Sequence, residues 1–258
     1  MNLAADTVLS EGPEYVVERI VVCSNLDKKI DRLSARIVGS IEHDRNSMPD
    51  EVFNKYKEII VSFFDPLKLK GNVRSIMTER YDDRICKGVV DFLKKPQIEL
   101  MNQKEESSKS AEAMNGMQDF FAGLQAMPPS ESRKRLIEQT DRVTRSSSIV
   151  INTQTELFQA ITWGMRGLSV DDQKISESQL KQMALDMKAQ LGAHIEQQVW
   201  MGMLYAYKDA SDSDLEKYIS LQGTAEGKLT TEFTQSVYSS MHKQVVDQLQ
   251  CALDAEFG

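Results

Sequence analysis

The stretch ESQLKQMALDMKAQLGAHIEQQVWMGMLYAYK, residues 177–208, decides the class of fold. Its apolar residues Leu180, Ala184, Met187, Leu191, Ile195, Val199 and Met203 recur at three- to four-residue intervals. That spacing puts them on one stripe of an α-helix about six turns long. A half-buried strand would need alternation with period two, which is missing here.

The pattern continues on both sides. Near the C-terminus Leu229, Phe233, Val237, Met241, Val245, Leu249 and Ala252 form a second long stripe. Upstream, Ile30, Leu33, Ile37 and Ile41 form a third, and Val52, Phe53, Tyr56, Ile59, Ile60, Phe63 and Phe64 a broad apolar face. The one strand-like run is Ile149-Val150-Ile151, and helical spacing in its flanks makes it a buried turn of a helix.

Punctuation sets the ends. Asp65-Pro66 is an N-cap followed by proline at the first helical position, and Pro49 starts a helix after the polar loop 44–48. Pro128-Pro129-Ser130 stops one helix and caps the next; Ser176 with Gln179 and Ser211 with Asp214 form capping boxes. Gly164 and Gly167 end a helix before the polar loop 169–174. The predicted helices are 14–25, 27–43, 50–63, 66–80, 83–94, 96–126, 130–165, 177–208, 212–222 and 225–256. The polar segment 103–113 is either an exposed part of its helix or a break in it. Residues 82–100 can be laid on residues 211–229, each a short helix, a small break and a longer helix, with Cys86 against Leu215 and Leu100 against Leu229. The expected fold is all-α: about ten helices in two similar multi-helix halves, 1–128 and 129–258, packed as one compact, irregular helical bundle.

Composition narrows the function. A chain of 258 residues, 41% hydrophobic, can bury a core without disulfide or metal. No apolar run approaches the ~20 residues of a membrane helix, so no transmembrane segment is expected. Lys plus Arg number 31 against 39 Asp plus Glu, a net charge of -8, which argues against nucleic acid as a partner. The basic run Arg133, Lys134, Arg135, Arg142 and Arg145 is interleaved with Glu131, Glu138 and Asp141, and reads as a solvated, salt-bridged helix. Cys23, Cys86 and Cys251 include no CxxC and form neither a disulfide framework nor a zinc site. Each lies on an apolar stripe, so buried free thiols are the first expectation, with a Cys23–Cys86 bridge as the alternative in an oxidising compartment. Residues 1–6 lack the basic and apolar regions of a signal peptide. The chain would be periplasmic if a leader has been removed and cytoplasmic otherwise.

Motifs for chemistry are missing. His43, His194 and His242 sit in no metal-binding spacing, and His194-Ile195-Glu196 has no PCxxC to complete a deaminase signature. No P-loop, GxGxxG, GxSxG or EF-hand loop occurs. No catalytic residue, metal ligand or cofactor is therefore assigned. Trp163 ends one helix, and Trp200, Tyr205 and Tyr207 end the next, which also carries Met187 and Met203. Such side chains either fill a core or line an adaptable groove. These six are the candidate contacts for a ligand or partner.

The strings Phe64-Asp65-Pro66-Leu67-Lys68-Leu69, Tyr81-Asp82-Asp83, Val90-Asp91-Phe92-Leu93-Lys94-Lys95-Pro96, Pro128-Pro129-Ser130-Glu131-Ser132-Arg133 and residues 205–219 together resemble the bacterial helical proteins of domain of unknown function 2059. The resemblance spans residues 50–240. Lys95-Pro96-Gln97 departs from that family's Ser-Pro-x-Gly, and Thr224-Ala225-Glu226-Gly227 keeps only the glycine. It implies an all-α chain of two similar halves, often periplasmic in Gram-negative bacteria, with no established activity and no catalytic residues to carry over. The expected function is non-enzymatic: a helical binding protein with an apolar groove for a peptide, a lipid-like ligand or a partner helix. A structural or oligomeric scaffold and a carboxylate-based hydrolase are the alternatives.

Overall fold

The computed structural model describes residues 12–168 and 176–258. They form α1 (Pro13–Cys23), α2 (Leu26–Ile41), α3 (Asp50–Phe63), α4 (Pro66–Glu79), α5 (Asp83–Leu93), α6 (Pro96–Ser107), α7 (Ala111–Ala126), α8 (Glu131–Thr144), α9 (Ser146–Gly164), α10 (Glu177–Ala206), α11 (Asp212–Gly223) and α12 (Ala225–Phe257). Two 3-10 turns follow α2 and α9, and no strand occurs among the described residues. The fold is all-α, as the periodicity requires. The loop predicted at 169–174 and the N-terminal residues 1–6 lie outside the described residues.

The caps work as their chemistry dictates. Asp65, Asp82, Ser130 and Thr224 each accept a hydrogen bond from the backbone N–H three residues on. Ser176 with Gln179 and Ser211 with Asp214 form complete capping boxes. Lys95 cannot accept such a bond and makes none.

Two predicted helices are each divided in two. The one expected over 96–126 stops at Ser107, so the polar segment 103–113 contains a break: the hydroxyls of Ser107 and Ser108 bond back to the carbonyls of Gln103 and Glu105, and Ser110 then caps α7. The one expected over 130–165 turns at Arg145, which adopts the left-handed conformation at φ 55°. No glycine or proline announces that joint.

α12 is the axis of the bundle. It packs on α9 along one side and on α3, α4 and α5 along the other. Val237, Met241, Leu249 and Leu253 are buried accordingly. α9 is in turn sandwiched between α10 and α12, and only Ser148, Asn152 and Glu156 along it are exposed. Gly164 makes the close approach possible, since a Cβ there would run into the Leu253 side chain.

The helices also repeat. α1 packs on α2, α4 and α5; α8 packs on α9, α10 and α11. α4 and α5 touch α12, while α10 and α11 touch α6. Contacts exchange reciprocally when α1, α2, α4, α5 and α6 are matched with α8, α9, α10, α11 and α12, except that the packing of α12 on α9 has no equivalent between α6 and α2. The joints agree in detail. Asn25 (φ 53°) links α1 to α2, and Arg145 (φ 55°) links α8 to α9; these are the only non-glycine residues with positive φ among those described. Asp82 and Lys95 before α5 and α6 stand 129 positions ahead of Ser211 and Thr224 before α11 and α12. The burial register agrees too: Cys86, Val89, Leu93, Ile98 and Met101 match Leu215, Tyr218, Gln222, Gly227 and Thr230, all buried. Leu100 and Leu229 are both exposed, at 36% and 40%.

All three cysteines are free thiols. Cys86 is buried as expected, Cys23 is half-buried and Cys251 is exposed, which corrects the expectation of three buried thiols. Cys251 faces outward because the buried stripe of α12 there runs through Leu249 and Leu253.

The left-handed joint costs more for Arg145 than for Asn25, because asparagine tolerates this conformation and arginine does not. The Arg145–Glu232 pair spans 4.0 Å with both side chains more than half exposed, so it offsets little. Arg145→Asn is expected to raise the unfolding free energy by about 0.5–1 kcal/mol and Asn25→Ala to lower it by about 1 kcal/mol, both read from urea denaturation midpoints.

Candidate functional site

A half-open cleft of about 370 Å³ lies where the end of α6, the start of α7 and the end of α10 converge. Leu100, Gln103, Lys104, Ser107 and Ser108 line one wall, Ala113 a second, and Tyr205, Ala206, Lys208 and Asp209 the third. Helical spacing makes the first wall: Leu100, Gln103, Lys104 and Ser107 are neighbours on one face of α6.

Tyr205 sets the shape of the cleft. Its ring is 5% exposed, meets Phe120 edge-on at 5.3 Å and has the Lys208 ammonium above it at 5.3 Å. Its hydroxyl donates to the Ala113 carbonyl at 2.5 Å. Both α6 and α10 end at this cleft, and their last carbonyls give it negative partial charge. The lysines answer that charge. Lys104 donates to the Asp209 carbonyl at 3.1 Å, and Lys208 to the Asp209 carboxylate at 2.5 Å. The Lys208 hydrogen bond holds the Asp209 carboxyl below the usual carboxylate range. Both cations are thus engaged by the chain itself, which makes the cleft a poor receptor for a free anion. The Ser107 and Ser108 hydroxyls are committed to backbone carbonyls, and neither histidine nor cysteine lines the cleft. It offers shape, apolar surface and hydrogen bonds, and no nucleophile paired with a base.

A buried polar network lies behind it. Tyr207 is fully buried, and its hydroxyl donates to the Glu105 carboxylate. Burial first, and the Glu105 charge second, push the Tyr207 phenol well above its usual pKa, and the same two causes raise Tyr218, whose ring lies 6.4 Å away. Arg133 of α8, with its side chain 12% exposed, donates to the Ala210 carbonyl at 2.9 Å, to Asp212 at 2.9 Å and to the Tyr207 carbonyl. The guanidinium therefore closes the turn between α10 and α11 by gathering the Ala210 carbonyl, the Asp212 carboxylate and the Tyr207 carbonyl, which also accepts from the Ala210 N–H at 2.8 Å. On the far side of α6, Arg32 clasps Glu106 with two bonds of 2.7 and 2.9 Å.

Of the six candidate contacts, the structure brings Trp200, Met203, Tyr205 and Tyr207 to this end of α10. Met203 and Tyr207 are core residues, Trp200 is half-buried against the core, and only Tyr205 lines the cleft. Met187 is half-buried roughly 20 Å further along the helix. Trp163 stands at the end of α9 with the Arg166 guanidinium 4.3 Å from its ring, and Arg166 reaches Asp254 of α12 at 2.6 Å. Neither belongs to the cleft. Sequence reasoning missed Leu100, Lys104 and Glu105. It also placed Arg133 on a solvated face, whereas Arg133 is the inward-facing member of its basic run.

A second polar spot lies inside the bundle. His242 of α12 is 1% exposed; its Nδ1 meets Glu156 of α9 at 2.8 Å, Tyr238 stacks on its ring, and its Nε2 has no hydrogen-bond partner. Burial lowers its pKa below 6.5, outweighing the opposing pull of Glu156. Among the described residues no three His, Cys, Asp or Glu side chains group as a metal-ligand set, and no helix is long and apolar enough to cross a membrane. No protein-family model, curated protein or solved structure matches the chain.

Two outcomes follow for stability. Arg133→Ala takes the donor from the Ala210 carbonyl and from Asp212 and is expected to cost about 3 kcal/mol; Arg133→Lys recovers less than half, because an ammonium cannot fork. Denaturant unfolding of both variants checks this. For His242, the unfolded chain takes up a proton near pH 6.5 while the folded chain stays neutral. Stability is therefore complete above that pH and falls as pH drops through 6.5 toward the lower folded pKa, by at most about 1.4 kcal/mol per pH unit. His242→Gln, which keeps a donor for Glu156, is expected to flatten the unfolding midpoint between pH 5 and 7.

Proposed function

We propose that this chain is a non-enzymatic helical interaction protein, and that the cleft between α6, α7 and α10 takes an extended or helical peptide segment of a partner. The carrying observation is the cleft's combination of lining and size. Leu100, Ala113, Tyr205 and Ala206 supply apolar surface; Gln103 and the ends of two helices supply hydrogen-bonding groups around it. At about 370 Å³ it lies near the bottom of the ~300–1,000 Å³ range of small-ligand sites. It holds a few side chains and is too small for a long acyl chain, which favours a peptide over a lipid. The engagement of Lys104 and Lys208 by Asp209 favours a neutral apolar anchor over an acidic one.

The resemblance to the domain of unknown function 2059 proteins supports a bacterial, periplasmic setting as part of the same reading. The two reciprocal halves are in keeping with that family's two-part layout.

Panning a library of short amphipathic peptides against the full chain tests the proposal. The selected peptides are expected to compete with one another for one site. Leu100→Glu should weaken them at least tenfold, about 1.4 kcal/mol, by fluorescence anisotropy. Leu67→Glu, at a leucine 77% exposed on α4, should leave them unchanged. Peptides indifferent to Leu100→Glu, or no saturable binder at all, would remove the reading.

A further inference from the structure

α6 and α7 together occupy the place in the first half that α12 alone occupies in the second. α6 starts at Pro96 and α12 at Ala225, 129 positions apart, each behind a matching short helix. α12 then runs unbroken to Phe257, and buries Val245, Val246, Leu249 and Leu253. The same offset leads to Gly116, Met117, Phe120 and Leu124 of α7. α7 therefore carries a core-type stripe in the register of its counterpart. Its position differs. The second stretch of α12 lies on α9, whereas α2, the counterpart of α9, packs on α1, α3 and α4. No described side chain of α7 is buried. Phe120 and Leu124 are half-buried against the core, and Tyr205 holds the helix through its hydroxyl bond to Ala113 and its ring contacts with Phe120 and Phe121. The connection is Ser108-Lys109-Ser110: Ser108 bonds back to Glu105, Ser110 caps Ala113, and Lys109 sits near Glu105 and Glu106 of α6 and Arg32 and Lys29 of α2 with no hydrogen bond to α2 or α7 among the described residues.

We infer that α7 is a hinged lid, which swings as one helix about residues 108–110 between a closed position on Tyr205 and an open one in line with α6. In the open position Tyr205 and the cleft wall beneath Ala113 are uncovered. The energetics permit it. Closure rests on one hydrogen bond, two edge-on ring contacts to Tyr205 and the partial burial of Phe120 and Leu124, with no side chain of α7 among those described fully buried. Opening lets the segment 108–110 continue α6 as helix, in which serine is tolerated at a small cost. The inference concerns α7 alone and holds whatever the cleft binds.

The test uses the full chain with spin labels at Glu99→Cys and Asp119→Cys, both exposed positions, with Cys23 and Cys251 replaced by serine and the fully buried Cys86 retained. A continuous helix puts the two sites roughly 30 Å apart along its axis, and the broken helix brings them closer. Two populations are expected in electron–electron double resonance. Tyr205→Phe, which keeps the ring and removes the hydroxyl, should enlarge the longer one at least twofold. So should Ser108→Ala with Ser110→Ala, which leaves the cleft wall at Tyr205 intact. Hydrogen exchange on the unlabelled chain should find α7 amides exchanging at least about tenfold faster than residues 240–255 of α12. A single short distance that neither substitution moves overturns the lid, as does exchange in α7 as slow as in that part of α12.

Discussion

The bundle depends on α12 being buried along two sides at once. A helix of 33 residues that meets α9 on one side and α3, α4 and α5 on the other makes the two halves a single core. Val237 and Leu249 are fully buried, and Val245 and Met241 nearly so. At roughly 1.5–3 kcal/mol for each buried aliphatic side chain, this one helix supplies a large share of the apolar driving force. It also explains why glycine stands at position 164: α9 can approach that closely only where a Cβ is missing.

What burial does not fix, charged and hydroxyl groups do. Non-directional apolar contact leaves open how α6, α8, α10 and α11 meet at the other end of the molecule. Arg133 settles it by holding the turn from α10 into α11 with three bonds, and Tyr207 by reaching Glu105 from α10 to α6. Gln97 of α6 adds a bond to the Asp214 carbonyl of α11. Such groups are costly to bury alone and inexpensive once every partner is in place, so they discriminate between arrangements that would bury similar apolar area. The cleft is a by-product of this geometry: two helix ends meet there, and ends pack less tightly than helix flanks.

Much of this was legible in the sequence. Apolar spacing gave the helices, and cap residues gave most of their starts, because both signals are local. The stripe of α10 shows where locality fails. Leu180, Ala184 and Ile195 are buried, yet Leu191 on the same stripe is 41% exposed, since the first part of α10 lies against α9 and little else. Leu229 on α12 is likewise 40% exposed. The bend at Arg145 left no trace because an arginine forced into the left-handed region looks like any other helical arginine. Arg133 was hidden for a related reason: five basic residues on one helix look alike until a neighbouring turn presents carbonyls to one of them. His242 was set aside as a lone histidine, and its pairing with Glu156 joins residues 86 positions apart.

The internal repeat carries the argument further than either half does. A repeat of 129 residues was faint in the letters because only apolar character was shared. In three dimensions it becomes specific: the same cap positions and burial register at that offset, and a left-handed joint between the first two helices of each matched set. Once two halves are equivalent, their differences become informative. α12 and the α6–α7 pair start from equivalent positions and carry equivalent stripes, yet one is a continuous buried helix and the other is interrupted by serines that bond back to their own helix. Propensity alone does not require that break, since serine is tolerated within helices. The serines instead lower the cost of turning where the bundle has no slot for the continuation, because α2 is already covered by α3 and α4. The position of α7 on Tyr205 is thus a consequence of a filled slot elsewhere, and the cleft beneath it exists because the two halves are not quite the same.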